Sequence, residues 1–273
     1  MAQNELEWLE LNSLPATTIR FISSGLQSSS HIFGAIRFYK IDFNLFWSEL
    51  IIEGLSSCVN LLCLDFYECD AIEQNSWIET AKFFTKLEFL AIEGTFGEMP
   101  LAFIKQIIET SGDNLLYLLI QETRFLYTSD EGIAMVAELL PFILVHSRNL
   151  RALSLGELNL EQISSLPESC PKLKHVDFYT LNISEELPSL GQSLPPQISS
   201  LAIYGAALTH AGGYFYGFNK NFLEAICCHV KYLSIFIDVE DIGYATDEIE
   251  FYGIKYIEKP FHDVIYPSYF PQF

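Results

Sequence analysis

The chain has 273 residues, half of them hydrophobic, and its 35 acidic and 15 basic side chains give a net charge of −20. This composition excludes an intrinsically disordered chain, because it supplies enough apolar surface for a sizeable core. Negative charge repels phosphate backbones, so we expect no nucleic-acid partner and favour a protein partner with a basic patch.

We also expect no membrane or secretory segment. The longest apolar run, IAMVAELLPFILV at 133–145, contains Glu138 and Pro141 and is too short to cross a bilayer. The first ten residues, MAQNELEWLE, lack the basic and apolar regions of a secretory signal. Six cysteines without regular disulfide spacing predict reduced thiols and a cytoplasmic location, with the nucleus as an alternative: Cys58, Cys63, Cys69, Cys170, Cys227 and Cys228.

The pattern L-x-x-L-x-L occurs nine times along the chain when any large apolar residue is accepted at its three L positions. Successive copies begin 23 to 35 residues apart, and most steps lie within the roughly 20–29 residues typical of one kind of repeat protein. The first positions are Leu6, Phe33, Leu61, Leu87, Leu115, Leu150, Leu173, Ile198 and Val230. Six middle copies share a polar residue just before the pattern: Asn60, Lys86, Asn114, Asn149, Lys172 and Gln197.

Each copy of the pattern predicts a short β-strand. Successive side chains of a strand point to opposite faces, so the second and third apolar residues of the pattern point the same way. One such strand cannot bury its apolar face alone. We therefore expect neighbouring copies to stack as strands of one parallel sheet.

Between the strands the apolar period changes from two to about 3.6, which predicts helices. Ser76 and Glu79 form a capping-box pattern, and Pro100 and Gly112 stand at the expected start and end of another helix. In chain order the predicted helices cover residues 45–51, 77–84, 100–111, 133–145 and 222–228. The prolines of LPESCPK and LPSLGQSLPPQ predict shorter, irregular helices between residues 160 and 197.

With these repeats the chain resembles leucine-rich-repeat proteins of the long-repeat type, and it is similar to ribonuclease-inhibitor-like proteins and to the repeat domains of F-box substrate receptors. The resemblance covers about residues 60–237. It implies an α/β solenoid of about nine irregular repeats, with a curved parallel sheet and helices on its convex side. Residues 1–238 would form the solenoid, and residues 239–273 a capping segment over its open apolar end. A role of this tail as an aromatic peptide for another protein is the alternative.

The chain departs from this family three residues after the last leucine of the pattern, where asparagine or cysteine is usual. Cysteine or threonine can still bond to neighbouring backbone, but leucine and alanine cannot. The turns of the later repeats are therefore expected to differ. The residues at this position are Cys69, Thr95, Thr123, Leu158, Leu181 and Ala206.

The resemblance implies that residues between the apolar positions face outward on the concave side of the sheet. Aromatic rings there would supply contact area, and carboxylates would select a basic partner. Tyr and Phe are also simply good strand formers on a half-exposed face. The predicted partner-binding residues are Tyr39, Asp65, Tyr67, Phe89, Glu93, Tyr117, Gln121, His175, Asp177, Tyr179, Tyr204 and Tyr232.

A further candidate is the segment AGGYFYGF at 211–218, in which two glycines precede Tyr214, Phe215 and Tyr216. As a flexible loop it could fold over the concave face as a binding lid. Equally, its rings could fill a gap left by a distorted repeat.

Patterns typical of catalysis or metal binding are missing from the sequence. It contains no Gly-rich phosphate loop, no H-E-x-x-H and no paired C-x-x-C. His175, Asp177 and Cys170 suggest a catalytic trio, but Cys170 is expected in the turn before the strand that carries the other two. Asp238, Glu240 and Asp241 are interpreted as a solvated acidic turn rather than a metal site. We therefore expect no enzyme activity, no cofactor and no metal.

The resemblance implies a non-enzymatic recognition scaffold for a protein partner, and substrate recognition for a ubiquitin ligase is one such role. The alternative is an inhibitor or assembly factor that occludes an enzyme or a cytoskeletal partner. The segment LPATTIRFISSGL has Ile19, Ile22 and Leu26 at offsets like those that open an F-box, but first-repeat structure explains them better. The sequence predicts no particular oligomeric state.

Overall fold

The computed structural model describes residues 7–12, 16–41, 43, 45–69, 75–94, 101–121, 130–158, 160–180, 192, 194–205, 220–237 and 253–256. Within them, ten strands form one parallel sheet in which each strand pairs with its neighbours in sequence. The strands are β1 (Glu7–Asn12), β2 (Phe33–Tyr39), β3 (Cys63–Tyr67), β4 (Phe89–Glu93), β5 (Tyr117–Gln121), β6 (Ala152–Glu157), β7 (His175–Thr180), β8 (Ser200–Gly205), β9 (Tyr232–Ile237) and β10 (Lys255–Tyr256).

Parallel neighbours need crossover connections, and helices supply most of those that the structure describes. The helices are α1 (Ala16–Ser29), α2 (Leu45–Ser56), α3 (Asn75–Ala81), α4 (Leu101–Ser111), α5 (Asp130–His146), α6 (Leu160–Ser169) and α7 (Lys220–Ile226). A short 3-10 turn, Gly112–Asn114, follows α4. The chain is therefore an α/β protein in which strands and helices alternate.

All nine predicted strands are present, which confirms the strand predictions. From β3 to β9 each strand begins two residues after the first apolar residue of its pattern. The sequence did not predict β10, which pairs with β9. This strand lies in the predicted capping segment, of which the structure describes only residues 253–256.

The main core lies between the sheet and the helices. Wherever the structure describes both side chains, the second and third apolar residues of the pattern point into it, as Leu64 and Phe66 do from β3. Around Phe66 the core is aromatic: its ring centroid lies 5.5 Å from that of Trp77 and 6.0 Å from that of Phe103, both edge-on. Trp77 and Phe103 come from α3 and α4, so this cluster joins the sheet to two successive helices.

A hydrogen-bonded turn of constant form leads into the strands. Before each strand from β3 to β8, the N–H of the first apolar residue donates to the carbonyl three residues earlier, at 3.0–3.3 Å. The donor and acceptor pairs are Leu61 and Cys58, Leu87 and Phe84, Leu115 and Gly112, Leu150 and Ser147, Leu173 and Cys170, and Ile198 and Pro195. The same backbone turn in six repeats explains why the strands start in register.

The next residue of each repeat continues a series of bonds across the sheet. Glu88 donates its backbone N–H to Leu62 O at 2.8 Å, and the residue that follows the turn donates likewise in every repeat up to Lys231, which bonds to Ser199 O at 2.8 Å. At β10, Lys255 donates to Lys231 O at 2.8 Å. The series therefore runs along the amino ends of the strands from β2 to β10.

The shared polar residues before the pattern form a second set of bonds between repeats. They lie near the surface, where four of the six reach the preceding repeat. The bonds are Lys86 Nζ to Asn60 Oδ1 (2.6 Å), Asn114 Nδ2 to Thr85 O (2.9 Å), Asn149 Nδ2 to Asp113 O (2.8 Å) and Lys172 Nζ to Asn149 Oδ1 (2.6 Å). The sequence similarity at this position thus has a structural cause.

Five predicted helices are confirmed as α2, α3, α4, α5 and α7, with ends that differ by a few residues. Ser76 lies within the first turn of α3 rather than before it, because the helix begins at Asn75. No helix within the described ranges has both the length and the apolar character that crossing a membrane requires.

Of the shorter, irregular helices predicted between residues 160 and 197, the structure describes α6 in full. It has ten residues, fewer than α2, α4 and α5, and it contains Pro167. Two features hold this helix in place. Ile163 and Leu166 are buried in the core, and Cys170 donates its N–H to Leu166 O at 2.7 Å beyond the proline. Because Pro167 lies in the last turn, it interrupts little of the helix. Residues 181–191 lie outside the described residues.

Two helical glycines offer a matched test of how α1 packs on α2. Gly25 in α1 has open space where a Cβ would lie, whereas a Cβ on Gly54 in α2 would lie 3.0 Å from Leu26 Cβ and 3.2 Å from Ser23 Cα. We expect Gly25→Ala to raise the free energy of unfolding by about 0.5–1 kcal/mol, because alanine favours the helix. We expect Gly54→Ala to lower it by about 1 kcal/mol, because overpacking outweighs that gain. Urea unfolding measures both, and equal effects would contradict the close approach.

Candidate functional site

The sheet face turned away from the main core, here called the second face, carries the side chains that alternate with the core residues. Some of them form a small apolar cluster of their own, separate from the main core. It contains Ala35, Cys63, Phe89, Ala91, Leu119 and Ala152, with Trp8 and Tyr117 packed against it.

Strand register arranges the second face in three rows that cross the sheet. The amino row contains Trp8, Ala35, Cys63, Phe89, Tyr117, Ala152, His175, Ser200 and Tyr232. The middle row contains Glu10, Arg37, Asp65, Ala91, Leu119, Ser154, Asp177 and Ala202. The carboxyl row contains Asn12, Tyr39, Tyr67, Glu93 and Gln121, and its register positions continue at Tyr179 and Tyr204. Ten of the twelve predicted partner-binding residues therefore have their side chains on the second face, and the side chains of Tyr179 and Tyr204 lie outside the described part of the structure.

Their predicted exposure is wrong for four of the twelve. Asp65 and Asp177 are each 1% exposed, Phe89 is fully buried and Glu93 is 5% exposed. Strands about 4.8 Å apart bring neighbouring side chains into contact, and the apolar cluster around Phe89 excludes water. The ring centroids of Phe89 and Tyr117, for example, are 6.2 Å apart. The centre of the second face is thus closed to solvent.

The carboxyl row is more accessible at Tyr39 and Tyr67, which are half-buried. Their rings stack in parallel, with centroids 5.0 Å apart and an interplanar angle of 1°. Lys40 Nζ lies 5.2 Å from the centroid of the Tyr39 ring and 3.1 Å from Glu68 Oε2. Two aromatic rings and an ion pair thus lie together where β2 and β3 end.

A repeated left-handed turn holds this row. Lys40, Glu68 and Gly94, which follow the ends of β2, β3 and β4, have φ angles of 53°, 49° and 68°. Each donates its backbone N–H to the last residue of the next strand: Lys40 to Tyr67 O (2.8 Å), Glu68 to Glu93 O (2.7 Å) and Gly94 to Gln121 O (2.9 Å). Left-handed backbone is costly for Lys and Glu, so these hydrogen bonds offset real strain. Because the acceptors belong to the carboxyl row, the turns fix its spacing.

The carboxylates of the second face differ in how they are compensated. Asp65 Oδ2 accepts a hydrogen bond from Arg37 Nε at 2.6 Å, and Arg37 Nη1 lies 3.7 Å from Glu10 Oε2. The carboxylate oxygens of Asp177 accept no hydrogen bond from any described residue. Burial, and secondarily repulsion by Glu93, raises the pKa of the Asp177 carboxyl well above its usual range. Burial, followed by Glu68 and Glu93, raises the pKa of Tyr67. The carboxyl row therefore lies in a negative field.

The other predicted residues lie in the carboxyl row, in the amino row or outside the described residues. In the carboxyl row, Gln121 Nε2 donates to Ser154 Oγ of the middle row at 2.7 Å. Tyr117, His175 and Tyr232 are half-buried in the amino row. Burial, and then the charge of Lys174, lowers the pKa of His175. Tyr214, Phe215 and Tyr216 lie outside the described residues, as do the acidic residues Asp238, Glu240 and Asp241.

The suspected catalytic trio is not assembled. Cys170 is buried in the main core, in the turn before β7, and burial raises the pKa of its thiol to about 11. His175 and Asp177 lie on the second face, across the sheet from it. In the part of the chain that the structure describes, no group of three or more His, Cys, Asp and Glu side chains could hold a metal ion.

Sequence reasoning missed two features of this site. The left-handed turns at Lys40 and Glu68 carry no glycine, which is the usual signal of such backbone. The buried Arg37 and Asp65 pair is 28 residues apart in sequence, and only the register of β2 and β3 brings it together. The available signal is that Arg37 and Asp65 occupy the same position in their repeats, four residues after Phe33 and Leu61.

Neither a scan against models of known protein families nor a search of curated proteins finds a match for this chain.

The buried ion pair gives a stability prediction. Arg37→Met leaves the 1% exposed Asp65 without its cation, so we expect the free energy of unfolding to fall by about 2–4 kcal/mol. Adding Asp65→Asn should recover at least half of the loss, because the uncompensated charge is removed. Lys82→Met breaks an exposed pair with Glu79 and should cost less than about 1 kcal/mol. If urea unfolding gave equal losses of unfolding free energy for Arg37→Met and Lys82→Met, burial would not make the Arg37 pair more important for stability than an exposed pair.

Asp177 gives a prediction with a defined pH dependence. Its folded pKa is raised above the unfolded value, so the folded state binds more protons, and this residue's contribution to stability falls as pH rises from the unfolded to the folded pKa. Asp177→Asn removes this effect. We expect the variant to gain stability relative to wild type as pH rises from about 4, the ordinary pKa of Asp, towards about 8. Asp113→Asn, at an exposed carboxyl, is the control. If the stability difference between Asp177→Asn and wild type stayed constant over this pH range, the raised pKa of Asp177 would be contradicted.

Proposed function

We propose that the chain is a leucine-rich-repeat scaffold that binds a basic segment of a protein partner at the carboxyl row of its second face. The observation that carries this proposal is the stacked, half-buried pair of Tyr39 and Tyr67 beside the carboxylates of Glu68 and Glu93. Rigid rings supply contact area at low entropic cost. An aromatic ring also attracts a guanidinium or ammonium group, as the Tyr39 ring does Lys40 Nζ, which lies 5.2 Å from the ring centroid.

The regular backbone supports the repeat type. One parallel strand per repeat, the constant turn before β3 to β8 and a strand order that follows the sequence are all features that a stacked solenoid requires. At the position where the family usually has asparagine or cysteine, Cys69 Sγ donates to the backbone carbonyls of Phe38 and Tyr67, each at 3.4 Å. This thiol therefore bridges two repeats, as a side chain at that position would be expected to do.

Burial limits the footprint of a partner. Because Asp65, Phe89 and Asp177 are closed to solvent, a partner that spreads over the whole second face is not favoured. The carboxyl row is one residue wide, and the rings of Tyr39 and Tyr67 occupy adjacent strands. We therefore favour a short extended segment with one or two basic side chains over a large rigid surface.

Substrate recognition for a ubiquitin ligase remains one use that such a scaffold could have. The segment that resembles the start of an F-box forms α1, which connects β1 to β2 and packs against α2. Leu26, one of its matching residues, is buried in the main core. These contacts favour first-repeat structure for this segment. Copurification with an F-box adaptor protein is the direct test of the ligase role.

Selection from a display library of random peptides, each of about twelve residues, tests the proposed site. We expect the selected peptides to be rich in Arg and Lys. Their affinity should fall at least about tenfold for Tyr39→Ala/Tyr67→Ala, because both stacked rings are lost.

The matched control is Phe21→Ala/Phe83→Ala, which removes two rings that are 79% and 48% exposed elsewhere on the surface. It should bind the selected peptides as wild type does, and circular dichroism should show both variants folded. Selected peptides without basic residues would contradict the charge preference. Equal binding by the two double variants would contradict the location.

A further inference from the structure

The amino-end edge of the sheet from β6 to β10 has a charge opposite to that of the whole chain. Five segments form this edge: residues 147–151, 170–174, 194–199, 227–231 and 253–255. None of them contains Asp or Glu, although acidic residues outnumber basic ones by 35 to 15 in the chain. Together they contain six of those 15 cations: Arg148, Arg151, Lys172, Lys174, Lys231 and Lys255. We call these six residues the basic edge.

All six side chains of the basic edge are exposed. None forms an ion pair with a carboxylate in the described part of the chain, whereas Arg37, Lys40, Lys82 and Lys105 each do. Lys172 donates to an amide oxygen, that of Asn149, and this bond leaves its charge uncompensated. The basic edge is therefore a concentration of positive charge that the rest of the described fold does not neutralise.

The backbone fixes how these cations are spaced. Lys174 donates its N–H to Arg151 O, Ser199 to Lys174 O, Lys231 to Ser199 O and Lys255 to Lys231 O, each at 2.8 Å. Neighbouring strands lie about 4.8 Å apart, so β6 to β10 extend over roughly 19 Å. An extended peptide that crosses the strand ends over this distance would contribute about six residues, at about 3.3 Å each.

Helix dipoles explain only part of this charge. Arg148 and Lys172 closely follow the ends of α5 and α6, where a cation is favourable. Arg151, Lys174 and Lys231 lie at the starts of strands, beyond the last turn over which a helix dipole acts. In addition, α4 ends beside Asp113 and α2 ends at neutral residues, so helix ends in this fold do not require cations.

We propose that the basic edge binds an extended, carboxylate-rich segment of a protein. A narrow row of cations matches the narrow charge of such a segment, and each neutralised cation favours binding. A nucleic acid or an anionic membrane would place many more negative charges near a chain of net charge −20, and the repulsion would extend over about a Debye length. A short acidic segment touches only the edge. This surface is distinct from the carboxyl row, which is at the other ends of the strands and has acidic character.

Fluorescence anisotropy with a labelled polyglutamate peptide of about ten residues tests the proposal at about 50 mM NaCl. We expect binding to wild type that weakens as salt is added, and no binding of a polyglutamine peptide of equal length. Arg151→Glu/Lys174→Glu should weaken binding at least about tenfold, because two attractive charges become repulsive. Both side chains are exposed, so the fold should persist, and thermal unfolding checks this.

Lys82→Glu/Lys105→Glu is the charge-matched control, since two reversals take either variant from −20 to −24 and both control residues lie outside the basic edge. It should bind the peptide within about threefold of wild type. Equal weakening by the two variants would mean that net charge alone acts, which overturns the proposal, as would an absence of peptide binding.

Three further measurements test whether a nucleic acid, a membrane or a second copy of the chain, rather than an acidic peptide, binds the basic edge. A single-stranded oligonucleotide of equal charge, or vesicles that contain anionic lipid, would overturn the assignment if either bound more tightly than the peptide. Sedimentation velocity of the chain alone would overturn it if the wild type associates and Arg151→Glu/Lys174→Glu does not, because the occupant would then be a second copy. A monomeric wild type that prefers the peptide supports the proposal.

Discussion

The structure depends on one constraint, the parallel pairing of each repeat with the next, in a register that is constant except for shifts between Glu7 and Trp8 in β1 and between Ser154 and Glu157 in β6. The turn that joins Leu61 N–H to Cys58 O has counterparts before the strands up to β8, and it brings each of β3 to β8 to the sheet at the same residue of its pattern. Pairing then continues through backbone bonds such as that from Lys174 to Arg151 O. A shift of one residue would send Leu64 and Phe66 out of the main core and bring Asp65 into it. The apolar pattern and the backbone bonds therefore specify the same register.

Constant register turns similarities along the sequence into rows across the sheet. On the second face it puts Tyr39 beside Tyr67 and Arg37 beside Asp65, and at the amino ends it aligns Arg151 with Lys174. The middle of the face is closed by the cluster around Phe89, so the two edges retain the accessible groups. One edge combines stacked rings with carboxylates, and the other presents cations that have no carboxylate partner among the described residues. The same backbone thus creates two surfaces with opposite preferences for charge.

The strands could be predicted because the residues that show the apolar alternation in the sequence, such as Leu64 and Phe66, are also the ones that are buried in the core. The polar residues before the pattern, such as Lys86 and Asn114, were recognised as a recurring feature, and their bonds to preceding repeats give the reason. The burial of Asp65 and Phe89 could not be predicted, since alternation identifies a face but not what packs over it. The basic edge could not be seen either, because Arg151, Lys174 and Lys231 are 23 and 57 residues apart (174 − 151 and 231 − 174) and align only in the folded sheet.

The closed middle row also explains how such a sheet could tolerate charge on its second face. Asp65 is buried with Arg37 beside it, so the face contains its own neutralised pair. Asp177 has no such cation among the described residues, and burial together with repulsion by Glu93 raises its pKa well above the usual range. A paired cation for Asp65 and a raised pKa for Asp177 each lower the cost of burying a carboxyl on this face. Selection by charge then falls to side chains at the strand ends, where water and a partner can both reach them.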